Sequence, residues 1–328
     1  MENTVILGCA HPISEYTGRE RMASYPSGQR DLTVNQLAQP SGVRIPHSPH
    51  MSHTLVQVAT QLAREAGELV VAARTGHVEV AKTKSSTVDV VTAVDQESEE
   101  LLFSRLATLR PGDGFLGEEG KSRESTTGIT WVVDPIDGTV NFLYNIPHYA
   151  VSIAAVTGEP QPGSWSVEAG AIFNPATGEM FSAAKGEGAF LGERRLRIAE
   201  PPALDLALLA TGFAYSSAMR SEQARVMAHL LPEVRDIRRF GTASLDLAAV
   251  AAGRVDVYYE RTLMPWDHAA GEILVTEAGG VIEGFEGLAP GREGLFAGHP
   301  DIVSQLKARI IELKGDTLLS SVPGWGLS

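Results

Sequence analysis

The chain is poor in features that mark several large protein classes. Cys9 is the single cysteine among 328 residues, so no intramolecular disulfide can form, which fits a reducing compartment. Basic residues are in deficit: 27 Lys and Arg against 40 Asp and Glu leave a formal net charge of −13, which argues against a nucleic-acid-binding surface. No run reaches the roughly 18 apolar residues of a membrane span. Ile6-Leu7-Gly8-Cys9 resembles a lipoprotein cleavage site, but it lacks a basic start and an apolar core, and Glu2 lies within the short stretch before the cysteine. The expectation is a cytoplasmic protein without membrane or nucleic-acid partners. No internal repeat is visible.

What is present suits a large core, or two tightly joined halves: 43% of the residues are hydrophobic. Residues 1–50 differ from the rest. Pro12, Pro26, Pro40, Pro46 and Pro49 are scattered through polar sequence of no sustained period, which predicts a disordered N-terminal extension. Met51-Ser52-His53 then reads as a natural start. From there Leu55, Ala59, Leu62, Ala66, Leu69 and Ala73 repeat at helical steps up to Gly76. A second helix is predicted over about 94–109, with Leu101, Leu102 and Leu106 inward and Pro111-Gly112 at its end.

Strands are predicted near 115–118, 129–134 and 150–157, followed by a meander over about 168–191 with turns at Asn174-Pro175, Thr177-Gly178 and Lys185-Gly186. The second half alternates strand 207–211, helix 217–231, strand 235–240, helix 244–252, strand 254–259 and helix 267–278. Strands near 281–284 and 294–297, a helix over 301–313 and a loose tail over 315–328 complete it. The catalytic region is expected over 51–314, in halves of about 51–195 and 196–314.

The most informative stretch is Trp131-Val132-Val133-Asp134-Pro135-Ile136-Asp137-Gly138-Thr139-Val140-Asn141-Phe142. It reads as a buried strand stopped at Asp134-Pro135, two carboxylates three residues apart, then a tight turn into a helix with free amides. Hard oxygen ligands beside a helix start suit divalent cations and a phosphate. Glu118-Glu119, taken alone, is a solvated strand end, and Asp267 alone is a plain N-cap. Together with Asp134 and Asp137 they offer carboxylates from three distant segments, the donor type that magnesium takes.

These segments resemble the inositol monophosphatase family of magnesium-dependent, lithium-sensitive phosphomonoesterases, particularly its bacterial, actinobacterial members. The resemblance runs through Lys84-Ser85-Ser86, Asp89-Val90-Val91-Thr92-Ala93-Val94-Asp95, Gly117-Glu118-Glu119, Trp131 to Phe142, Trp266-Asp267 and Glu277-Ala278-Gly279-Gly280, in family order over roughly 52–314. It implies an α/β layered (αβαβα) sandwich of the sugar-phosphatase type, often dimeric.

It further implies two Mg2+ ions. Glu118, Asp134 and the Ile136 carbonyl would hold the first, and Asp134, Asp137 and Asp267 the second. A third, weaker ion near Glu118 is implied too, with Glu119 a neighbour rather than a main ligand. Asp95 and Thr139 would orient the attacking water with Glu118 beside them. Gly138 and Thr139 would give amides to the phosphate, with Lys84 as an additional positive group. Gly241, Thr242, Ala243 and Glu260, with Asp137 and Asp267, would face the substrate alcohol, and Asn141 would line the pocket. His148 and His268 match no family role. His268 is most simply a residue of a helix N-terminus.

The leading expectation is hydrolysis of myo-inositol 1-phosphate or a close analogue. Histidinol phosphate, fructose 1,6-bisphosphate and 3′-phosphoadenosine 5′-phosphate are alternatives within the same chemistry, since Thr262-Leu263-Met264-Pro265 is less polar than a dedicated polyol site would be. An alternative of another class is a regulatory partner of the transcription machinery.

Overall fold

The structure is a computed structural model that describes residues 54–74, 80–83 and 90–321. Residues 1–50, Lys84, Asp89 and the end of the expected tail lie outside the described residues.

Helix α1 (Leu55–Ala73) starts at a capping box in which the Thr54 hydroxyl accepts from Gln57 N. Strands β1 (Val80–Thr83) and β2 (Val90–Thr92) form an antiparallel pair. They are too short to carry a visible period, and the sequence pattern does not signal them. Helix α2 (Ala93–Leu109) follows directly, capped by Thr92.

Strands β3 (Gly114–Gly117), β4 (Ser122–Arg123) and β5 (Ile129–Asp137) precede the short helix α3 (Thr139–Leu143). Strands β6 (Ala150–Gly158), β7 (Trp165–Asn174), β8 (Glu179–Ala184), β9 (Gly188–Leu191) and β10 (Arg194–Arg195) complete an eight-stranded sheet ordered β10-β9-β8-β7-β6-β5-β3-β4.

Strand β11 (Leu208–Thr211), helix α4 (Ser217–Leu230), strand β12 (Asp236–Arg238), helix α5 (Ala243–Ala251), strand β13 (Val257–Glu260) and helix α6 (Pro265–Glu277) come next. Strands β14 (Val281–Glu283) and β15 (Leu295–Gly298) and helix α7 (Pro300–Glu312) follow. The second sheet is five-stranded, ordered β12-β11-β13-β15-β14.

Strand alternation builds the layers. In β5, Trp131 and Val133 turn toward Leu62, Leu102 and Leu106 of α1 and α2, while Val132 turns the other way. In β13, Tyr258 joins Val132 in a central core with Leu247, Ala270 and Leu274 of α5 and α6. Its neighbours Val257 and Tyr259 face Val226, Leu230, Leu306 and Ile310 of α4 and α7. Each fully buried Leu, Ile or Phe of these cores contributes about 1.5–3 kcal/mol. The result is helices, sheet, helices, sheet, helices: the αβαβα sandwich.

Two sequence expectations change. The strand expected to stop at Asp134-Pro135 continues to Asp137 with a bulge, since Asp134 pairs with Ser152 and Asp137 with Ala150. Pro135 has no N–H to give the ladder, so Pro135 and Ile136 together oppose a single residue. The expected loose tail is tied down over 315–321: Arg261 donates to the Gly315 and Thr317 carbonyls at 2.9 and 2.6 Å, and Leu319 is 1% exposed. Among the described residues no helix is long and apolar enough to cross a membrane.

Candidate active site

The bulge of β5 lies beside the N-termini of α2, α5 and α6, and the acidic side chains meet there. Asp134 and Asp137 are buried at opposite ends of the bulge. Asp134 Oδ1 accepts from Ile136 N at 3.0 Å. Burial, then the charges of Glu118, Asp137 and Asp267, hold the Asp134 carboxyl well above the ordinary carboxylate range. Asp137 Oδ2 accepts from Ser244 N at 2.7 Å and from Ser244 Oγ at 2.5 Å. Burial raises Asp137 to about 6 against these donors, the Ala243 amide and the Arg239 charge.

Asp267 sits in the first turn of α6, where its Oδ2 accepts from Met264 N at 2.7 Å. Burial, then Asp137 and Glu118, push it up well above its ordinary value. Glu118 follows β3, and its amide donates to Val133 O of β5 at 3.2 Å. These four carboxylates thus share one electrostatic environment.

Among the described residues no three His, Cys, Asp or Glu side chains form a closed metal cage. The donor chemistry still fits a hard divalent cation. The oxygens are carboxylate oxygens, buried at Asp134 and Asp137 and half-buried at Glu118 and Asp267, and their charges disfavour ionisation of one another until a positive charge joins them. Magnesium typically takes only one or two carboxylates directly and completes its shell with water and phosphate oxygens.

Asp95 is fully buried in the first turn of α2. Thr92 N donates to its Oδ2 at 2.8 Å, and the Thr92 hydroxyl donates to the same oxygen. Thr139 Oγ1 lies 3.1 Å from Asp95 Oδ1 and 3.1 Å from Ile136 O, so its one proton serves one of two acceptors. Burial, opposed by the Thr92 contacts, raises Asp95 to about 7.

Gly138 caps α3 at φ 91, and a β-carbon there would strike the Thr242 hydroxyl, so the turn requires glycine. Because α3 has only five residues, any anion held there relies on individual amides rather than a long helix dipole.

On the other side, Gly241, Thr242 and Ala243 lead into α5. Thr242 Oγ1 donates to His148 O at 2.8 Å. Asn141 ties the loops beside it together. It is 6% exposed, and its amide donates to the carbonyls of His148 and Phe240, both at 2.8 Å, joining two loops. His148 adds a ring contact with Phe240. His268 is buried in the first turn of α6, and neither ring nitrogen has a hydrogen-bond partner.

Glu260 ends β13, and its Oε2 accepts from Tyr258 OH at 2.5 Å. Burial raises it to about 7, with Tyr258 and Arg239 acting against burial.

Sequence reasoning missed Ser244, Tyr258 and Glu99. Tyr258 stands two residues before Glu260, so the period of a strand puts both on one face, a signal available in advance. Ser244 offered only its place at the head of an apolar helix.

A profile of the inositol monophosphatase family matches residues 51–313. The chain belongs to the inositol monophosphatase family. It is therefore an enzyme, a phosphatase. An inositol-1-monophosphatase of Mycobacterium bovis is 46% identical over 248 residues, 71% of this chain and 82% of that one. The Nus factor SuhB of Escherichia coli is 36% identical over 81% of this chain and 99% of its own length. The solved structure of Mycobacterium tuberculosis SuhB superposes with a TM-score of 0.67 at 43% identity, covering 80% of this chain and 97% of that one. The family signatures fall on the bulge of β5 and the start of α6.

Proposed function

We propose that this phosphatase hydrolyses myo-inositol 1-phosphate, or a close analogue, with Mg2+ as its cofactor. The observation that carries this is the group of Glu118, Asp134, Asp137 and Asp267 beside the Thr139 hydroxyl and the acceptor Glu260. Glu118, Asp134 and the Ile136 carbonyl would hold one ion, and Asp134, Asp137 and Asp267 a second, with a weaker third near Glu118. Bound there, Mg2+ supplies Lewis acidity to the phosphoryl oxygens and a lowered pKa to water.

The chain's own residues do the rest. Thr139 donates to Asp95, which leaves its oxygen lone pairs to accept a hydrogen bond from the attacking water and fix its direction. The Gly138 and Thr139 amides donate to phosphoryl oxygens whose charge grows in the transition state. Glu260, steadied by Tyr258, accepts from hydroxyls of the polyol, with Gly241, Thr242 and Ala243 forming the adjacent wall. The same reading makes the protein a cytoplasmic, lithium-sensitive homodimer.

Phosphate release from inositol 1-phosphate, histidinol phosphate, fructose 1,6-bisphosphate and 3′-phosphoadenosine 5′-phosphate, with Mg2+ and with EDTA, tests the proposal. Release is expected to be largest for inositol 1-phosphate and to vanish on chelation. Full turnover in verified metal-free solution overturns the two-metal reading.

Likeness to the Escherichia coli Nus factor favours a second role, as a partner of the transcription machinery. An Asp137→Asn variant that abolishes turnover but keeps a regulatory phenotype would establish it.

A further inference from the structure

We propose that Glu99 is a positioning residue for the acidic loop: its carboxylate holds the backbone that carries Glu118. This rests on the proposal that Glu118 is a metal ligand. Glu99 lies one helical turn after Asp95 on α2 and is 1% exposed. Its Oε2 accepts from Glu119 N at 2.7 Å, and its Oε1 accepts from Lys121 N at 3.0 Å. Both carboxylate oxygens are thus spent on the turn joining β3 to β4.

That turn is closed by Gly117 N donating to Lys121 O at 3.0 Å, and it is held to β5 by Glu118 N donating to Val133 O at 3.2 Å. Glu118 is therefore fixed from two sides, by a neighbouring strand and by a helix side chain. Gly117 is part of the device: a β-carbon there would collide with the Glu99 carboxylate.

An apolar side chain could fill the same volume, but it would leave two amides of the loop unpaired, and a buried carboxylate is tolerated because those amides meet it. The neighbours of Glu99 on α2 reach other parts of the site. Asp95 Oδ1 accepts from Thr139 Oγ1, and Ser98 Oγ donates to Pro135 O at 3.3 Å. One helix thus references the turn over 119–121 and the run over 135–139 to each other.

Glu277 supplies an internal control. At the far end of α6 from Asp267, about 15 Å along the helix, its two oxygens accept from Gly186 N at 2.7 Å and Gly188 N at 2.8 Å. The bonding is the same, on a turn that carries no proposed metal ligand.

The experiment compares wild type, Glu99→Gln, Glu99→Asp and Glu277→Gln by calorimetric titration with Mg2+, by melting temperature, and by Mg2+ dependence of p-nitrophenyl phosphate turnover. In Glu99→Gln an amide NH2 faces a backbone N–H, so one loop bond is lost. Mg2+ affinity is expected to fall about tenfold, with kcat at saturating Mg2+ within about threefold of wild type. Glu99→Asp should restore part of the affinity. Glu277→Gln should lower the melting temperature and leave the affinity unchanged.

Wild-type affinity in Glu99→Gln, with a melting-temperature loss like that of Glu277→Gln, overturns the proposal and leaves a structural brace. If Glu99→Gln does not fold, Glu99→Asp decides: an intermediate affinity supports the proposal and wild-type affinity overturns it. Wild type that binds no Mg2+ overturns the metal reading of Glu118 itself, and that outcome is visible before any variant is made.

Discussion

The two sheets deliver their side chains to the site by different devices. From the eight-stranded sheet come Asp134, Asp137 and the start of α3, on one bulged strand and its turn, so that both acids and Thr139 fall within residues 134–139. From the segments around the five-stranded sheet come helix N-termini: Ser244 of α5 donates to Asp137, and Asp267 caps α6 through Met264 N. A bulge presents carboxylates, whereas a helix start presents amides that hold carboxylates in place, and the start of α6 brings the Asp267 carboxylate with it. The first device is contiguous in sequence, as is the Asp267 cap of α6, whereas the contact of Ser244 with Asp137 exists only once α5 has docked against β5.

The largest break in this comparison is removal of a carboxylate from either side. Asp137→Asn and Asp267→Asn should each cut kcat on the order of 10²–10³ while circular dichroism and melting remain close to wild type. Near-normal turnover in one of them would take that residue, and with it that side's device, out of the metal site.

Glu260→Gln should act on substrate choice instead. The ratio of kcat/KM for inositol 1-phosphate over p-nitrophenyl phosphate is expected to drop about tenfold to a hundredfold, because the aryl group has no hydroxyls to be read. An equal fall for both substrates would make Glu260 a general support of the site. No fall would favour another phosphorylated alcohol.

Ser244→Ala sharpens the contrast at lower cost. The backbone amides of Ser244 and Ala243 remain on Asp137, so stability should fall by about 1 kcal/mol in a chemical-denaturation experiment, and turnover should fall far less than in Asp137→Asn. Loss as large as that of Asp137→Asn would mean that the hydroxyl, not the helix start, positions the acid.

The smallest effect concerns the loop between Glu260 and Asp267. Thr262 is a β-branched residue at φ 73, a conformation that asparagine tolerates better. Thr262→Asn should stabilise the protein by about 1 kcal/mol with little change in kcat. Lost activity in a more stable variant would tie the strained turn to catalysis.

Much of the site was legible because its signals are local. Asp134, Asp137, Gly138 and Thr139 form one run, and Asp267 begins a helix announced by Pro265. The bulge was less legible, since whether a strand stops at Pro135 or resumes at Asp137 depends on the partner strand, where Ser152 and Ala150 accept the offset. The bracing role of Asn141 was not legible for a related reason: its carbonyl partners, His148 and Phe240, lie on two different loops.

By itself the sequence determined the order of the longer elements, though not β1 and β2, and the acidic segments with their carboxylates, because periodicity, capping and turn chemistry act over a few residues. Periodicity alone did not give the layers: the αβαβα order came from the family resemblance, and packing is what places Trp131 and Val132 in opposite cores. Only the tertiary structure decided that Ser244 meets Asp137, 107 positions away, and that Glu99 meets the amide of Glu119. Those contacts join segments whose local preferences carry no information about one another, and a hydrogen bond 2.5–3.0 Å long forms only when packing of both cores brings its two ends into register.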